Sequence, residues 1–159
     1  MELTHLDHDG KAQMVDISQK TSTERVAIAT GIISMAPETL QKIRENTLKK
    51  GDALAVARIA GILAAKQTDH LIPLCHSLPL SSVSMDFKEV GDNSIKISAI
   101  ARTFYQTGVE MEALTAVSIA ALTIYDMAKG IDKRMVIEDI HLVHKEGGKS
   151  GTFEWDELE

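Results

Sequence analysis

Asp126 and Lys129 stand three residues apart near the end of "GVEMEALTAVSIAALTIYDMAKG", which runs from Gly108 to Gly130. On a helix, residues at i and i+3 are neighbours, so a carboxylate meets an ammonium group. Each can shift the other's pKa, and held together they can move protons on a bound substrate. Glu110 and Glu112 open the same stretch. Acids at a helix start and a lysine at its end complement the helix dipole, which accounts for Glu110, Glu112 and Lys129 as ordinary solvated termini. It does not account for Asp126, because an acid in the last turn opposes the dipole. Asp126 is therefore the first candidate for chemistry.

Other reactive side chains carry weaker signals. "TDHLIPLCHSLPL" holds Cys75 and His76 in a proline-interrupted loop. It lacks the paired spacing of a zinc site, and adjacent residues point apart, so neither a metal nor a Cys–His nucleophile pair is implied. Alone, His76 reads as a satisfied loop histidine; His5 and His8 receive no role. "HKEGGKSG" ends like a phosphate-binding loop, but Val143 stands where the first glycine is needed and too little chain follows for a helix. What survives is a glycine-rich segment in which Lys145, Lys149 and backbone N–H groups can close on an anion. Lys49 and Lys50 precede a helix start, where anions are favoured. A solvated tail and a polar connector are the plain alternatives.

The elements that must position these groups follow from periodicity. "TERVAIATGIISM" places Val26, Ile28, Thr30 and Ile32 on one side of a strand. "PETLQKIRENTLKKG" reads as a helix with Pro37 at its first position and Gly51 at its end. Asp52 caps a second helix, "ALAVARIAGILAAKQ". A rigid loop leads to a hairpin, with Val83, Met85 and Phe87 alternating against polar neighbours, a "GDN" turn, then Ile95, Ile97, Ala99 and Ala101 on one face. The Gly108–Gly130 helix and the strand "RMVIEDIHLVHK" complete a β-α-α-β-β-α-β order. Without one helix this is the ferredoxin-like α+β pattern, helices on one face of an antiparallel sheet. Two helices, 53–65 and 113–125, are apolar nearly all round, which one small layer cannot bury, so self-association is expected.

At 159 residues the chain reads as a single domain, 1–159, with 1–23 mobile or peripheral and 146–159 a flexible tail. A net charge of −6 argues against nucleic-acid or membrane-surface binding but permits a local cationic pocket. One cysteine excludes an internal disulfide. No secretory pattern opens the chain, and the uncharged run from Ala113 to Tyr125 is too short to span a bilayer. A cytoplasmic location follows as an expectation.

"VDIS", "KKGDALAVARIAGILAAKQT", "LIPLCH", "TGVEMEALTAVSIAALTIYDMAKG" and "GGKSG" together resemble the cyclic pyranopterin monophosphate synthase family, the accessory protein C of molybdenum cofactor biosynthesis. The resemblance runs from Leu3 to Gly151; Ser77 follows the loop histidine where that family commonly has proline. It implies a lyase that converts 3′,8-cyclo-7,8-dihydro-GTP, supplied by a radical-SAM enzyme, to cyclic pyranopterin monophosphate with release of pyrophosphate. It also implies a homohexamer built as a trimer of dimers, with sites between subunits. By the same resemblance Asp126, Lys129 and Lys50 form the catalytic set. Leu74, Cys75, His76, Glu110, Met111, Glu112, Arg25, Lys145 and Lys149 contact substrate. No resident metal is implied; Mg²⁺ could accompany the triphosphate.

The chemistry of the residues agrees. Rearranging a purine needs acids and bases at fixed geometry, and expelling pyrophosphate needs cations around the departing oxygens. On one continuous helix Glu112 and Asp126 lie roughly 21 Å apart, too far for one reacting centre. Pairing the helix antiparallel with its copy about a two-fold axis would bring Glu112 of one chain near Asp126 of the next. Two other readings compete: a non-catalytic ligand-binding domain, against which the Asp126–Lys129 pair tells, and a zinc-dependent purine ring-opening enzyme using Cys75 and His76.

Overall fold

The structure, a computed structural model, describes residues 9–156; His5 and His8 lie outside that range. In chain order the elements are β1 (Thr23–Ser34), α1 (Pro37–Arg44), α2 (Ala53–Lys66), α3 (Thr68–Leu71), β2 (Ser82–Val90), β3 (Ser94–Tyr105), α4 (Glu110–Ala128), β4 (Val136–Glu146) and β5 (Phe153–Glu154). The strands form one antiparallel sheet in the order β2-β3-β1-β4-β5. Its first four strands have the ferredoxin-like arrangement, and α2 and α4 cover one face.

Small residues set the spacing between layers. Ala27, Ala29 and Ile33 of β1 are fully buried beneath α4. A Cβ on Gly31 would come 2.9 Å from Val117 Cγ1, so glycine lets the helix sit close to the strand. On α2, Ala57, Gly61 and Ala64 are buried, as are Ala113, Ala116 and Ala120 on α4. A Cβ on Gly61 would come 2.9 Å from the Ala116 carbonyl oxygen. Close helix approach needs that gap. The large apolar residues Val56, Ile59 and Leu63 of α2 instead point outward, at 44%, 58% and 50% exposure, with Leu122 of α4 at 53%. Apolarity on every side of α2 thus divides into a small-residue face inside and a large-residue face outside, while the inner face of α4 buries Val117 and Ile124 beside its alanines. α4 is also the one helix among the described residues long and apolar enough to cross a membrane. Here it is the core helix, with Ala113, Ala116, Val117, Ala120 and Ile124 fully buried.

The strand reading of β1 holds, and three other sequence expectations are revised. Val26, Ile28, Thr30 and Ile32 do share a face of β1, but the strand turns Ala27, Ala29, Gly31 and Ile33 toward the helices. The first helix stops at Arg44 rather than Gly51, because Asn46 adopts φ 55° and Thr47 N–H bonds back to the Lys42 carbonyl, a helix-ending turn. The loop after α2 opens with the single turn α3; its end is tied to the sheet by Ser81 N–H donating to Arg102 O and the Thr103 hydroxyl donating to Pro79 O. Beyond Glu146 the chain returns as β5, whose Glu154 and Phe153 pair with His144 and Lys145. Asp52 caps α2 as expected, its carboxylate accepting from Ala55 N–H at 2.9 Å.

Candidate active site

The C-terminal end of α4 carries a charged cluster of three residues. Lys50, in the connector before α2, donates from Nζ to Asp126 Oδ2 at 2.7 Å and to the Asp126 carbonyl at 3.0 Å. Lys129 Nζ lies 2.7 Å from Asp126 Oδ1. Each carboxylate oxygen therefore holds its own ammonium group. The hydrogen bonds from Lys129 and then Lys50 pull the Asp126 carboxyl down to about 2, and Asp126 in turn raises Lys129. All three side chains remain half exposed, so the cluster faces outward. The i, i+3 pair was legible in the sequence. The placement of Lys50, 76 residues away, depends on where the α1–α2 connector lands.

A second group surrounds the other end of α4. A pocket of about 570 Å³ is bounded by Arg25, Glu110, Lys145, Lys149 and the backbone of Gly147 and Gly148. β1 pairs Ala27 with Lys145, which turns that lysine toward the helix layer, and its Nζ reaches Glu110 Oε1 at 2.6 Å. Arg25 donates to the carbonyls of Tyr105, Gln106 and Gly147 at 3.4, 3.3 and 3.2 Å, so it fastens loops as well as lending charge. Lys20 also lines this pocket. Sequence reasoning passed over it, since a lone lysine in a polar segment carries no spacing signal.

Glu112 departs from the solvated-terminus reading. It is 3% exposed, not a solvated helix-start acid, and Oε2 has no hydrogen-bond partner among the described residues. Burial pushes its carboxyl up to about 7. The Cys75 thiol lies 3.9 Å from Oε1, and burial first, then the Glu112 charge, pushes that thiol up to about 11. His76 turns elsewhere, its Nε2 lying 2.6 Å from the Val15 carbonyl. Cys75 and His76 thus engage different partners, as the sequence suggested for adjacent residues. Leu74 and Met111, at 36% and 37% exposure, leave apolar surface beside them.

Glu112 makes a pH prediction. Folding raises its pKa, so between the unfolded value of about 4.3 and about 7 the folded chain binds more protons than the unfolded one. Stability contributed by the protonated acid is therefore present at low pH and lost as pH rises through about 7. Glu112→Gln, permanently neutral, is expected to gain roughly 3–4 kcal/mol over the parent at pH 8 and nothing at pH 4. Urea unfolding at both pH values measures this, and equal differences at both would contradict it.

One chain does not unite all these groups. Asp126, Lys50 and Lys129 meet at one end of α4; Arg25, Glu110, Lys145 and Lys149 gather at the other, where Cys75 meets Glu112. The ends are roughly 24 Å apart along the axis. Fold and side chains together define a ferredoxin-like protein with an acid–base cluster and a cationic pocket, equipment suited to a phosphorylated small molecule. Comparison with known proteins narrows this: residues 14–148 match the model of the MoaC family. The chain belongs to that family. It is 57% identical over 153 residues to a cyclic pyranopterin monophosphate synthase of Desulfitobacterium hafniense, covering 96% of this chain and 94% of the relative. The synthase of the same name from Clostridium perfringens strain SM101 is 56% identical over 96% and 97% of the two chains. That from Dinoroseobacter shibae is 58% identical, again over 96% and 97%.

Proposed function

We propose that this protein is a lyase of molybdenum cofactor biosynthesis that converts 3′,8-cyclo-7,8-dihydro-GTP to cyclic pyranopterin monophosphate and releases pyrophosphate. The observation that carries the chemistry is Asp126 held between Lys50 and Lys129, both at 2.7 Å. A carboxylate that stays ionised fixes the direction in which two ammonium groups offer protons to ring nitrogens or a departing oxygen. The pocket at the far end of α4 supplies the second requirement. Lys145, Lys149 and Arg25 surround a space where β- and γ-phosphates can leave as pyrophosphate. Cys75, His76, Leu74, Met111 and Glu112 then hold base and sugar.

The working unit in this reading is a composite of two chains, with the loop and start of α4 from one subunit and the end of α4 from its partner. The outward row of Val56, Ile59 and Leu63 with Leu122 supports it, since a free chain would expose that apolar surface to water. A hexamer built from three such dimers, each chain one domain in the cytoplasm, completes the proposal. A radical-SAM enzyme supplies the substrate, and no nucleic acid or membrane takes part.

Incubation of purified protein with the cyclic GTP derivative tests the reaction: pyrophosphate and a pterin product should appear in equal amounts, and pyrophosphate without pterin would overturn the assignment. Lys149→Ala should weaken substrate binding about tenfold, and weaken an analogue lacking the β- and γ-phosphates far less. Equal losses for both ligands, measured by calorimetry, would make Lys149 a structural residue instead.

A further inference from the structure

The glycine loop that carries Lys149 is not a free tail. Gly147, Gly148 and Gly151 have φ values of 100°, 78° and 70°, so the chain between β4 and β5 turns through conformations that only glycine adopts readily. The first half of the loop is pressed onto Arg25, whose Nη1 donates to the Gly147 carbonyl; a Cβ on Gly148 would fall 1.8 Å from that nitrogen. The second half is held by β5. Trp155 N–H donates to the Val143 carbonyl at 2.8 Å, and the Trp155 ring lies 4.7 Å from the His141 ring. Glu154 Oε1 lies 2.5 Å from His144 Nδ1, while His144 Nε2 lies 3.7 Å from Glu146 Oε2. The His141, His144, Glu154 and Trp155 side chains in these contacts lie on the sheet face turned away from the helices and do not line the pocket near Glu110; Glu146 does.

We propose that β5 is a clip that positions Lys149 over the polyphosphate of the substrate, with Glu154 and Trp155 as its positioning residues. The inference rests on the phosphate-binding reading of the pocket given above. A six-residue loop with three glycines has a large conformational space, and a lysine at its tip, tethered at one end only, would spend little time at the pocket. Fixing both ends restricts Lys149 and Ser150 to the pocket rim before any ligand arrives. Less ordering is then left for binding to supply, which tightens affinity without adding a contact to the ligand. Residues 153–155 lie beyond the 14–148 segment that matches the family model.

The full-length double variant Glu154→Ala with Trp155→Ala tests the clip, beside Trp155→Phe and Lys149→Ala. For the double variant KM should rise about tenfold with kcat within about twofold of the parent. Calorimetric affinity for pyrophosphate alone should fall by a similar factor, and amide exchange across 147–151 should quicken. Trp155→Phe keeps a ring against His141 and should retain the parent KM. If Lys149→Ala raises KM while the double variant leaves KM and pyrophosphate affinity unchanged, the clip is overturned and the pocket reading stands. If Lys149→Ala also changes neither, the phosphate reading fails and the clip falls with it. A fall in kcat equal to the rise in KM would mark β5 as a general structural element and overturn the positioning role.

Discussion

Asp126→Asn should reduce turnover by about a thousandfold while leaving fold and assembly intact. The carboxylate accepts from Lys50 on one oxygen and from Lys129 on the other, both at 2.7 Å. An asparagine keeps the shape but turns an NH₂ donor toward one ammonium group, so one lysine must swing away. Because the side chains are half exposed, the fold loses little; the cost falls on the geometry of proton transfer. The pH behaviour separates Asp126 from Glu112. Asp126, lowered to about 2, is ionised throughout the working range, and any stability its pairing contributes is lost only as pH falls below the usual carboxylate range toward 2. It therefore cannot produce a titration near neutrality, whereas Glu112, at about 7, can. Rate profiles of wild type and Glu112→Gln should differ by an inflection near 7. Near-normal turnover in Asp126→Asn would remove it from the mechanism.

Subunit mixing should restore activity to two dead variants. Glu112→Ala and Asp126→Ala damage opposite ends of α4, roughly 21 Å apart. In an antiparallel pair related by a two-fold axis, every site in a pure variant is damaged. Unfolding the two together and refolding them makes half the dimers mixed. Each mixed dimer has one doubly damaged site and one intact site, so roughly a quarter of wild-type activity should return. Glu112→Ala also leaves a cavity beside Cys75, so recovery of folded assembly is checked by sedimentation before rates are compared. Verified mixed dimers that stay inactive would place the whole site within a single chain and overturn the composite arrangement.

Much of the molecule was legible in the chain because periodicity and end signals are local. Alternation along 82–105 with a "GDN" turn leaves few options but a hairpin, and Asp52 before an apolar run caps a helix wherever that helix packs. The pairing of Asp126 with Lys129 follows from helical geometry alone, and the dipole argument singled out the aspartate without reference to any neighbour. The end of α1 was misread because a left-handed Asn46 outweighs the helix propensity of the residues after it. Contacts between distant segments were of another kind. No sequence pattern says that Lys50 completes Asp126, that the glycine loop is fastened by Arg25 and β5, or that Glu112 is sealed from water while Glu110 two residues away reaches Lys145. Glu110 and Glu112 look alike on a helical wheel of charges; only the loop carrying Cys75, folded across one of them, makes their environments differ. The sequence by itself determined the elements, the suspect aspartate and the family likeness, because each rests on short-range geometry or on long matched motifs. The tertiary structure decided which charges meet and which acid loses its water, because desolvation and ion pairing depend on what the rest of the chain brings within a few ångströms.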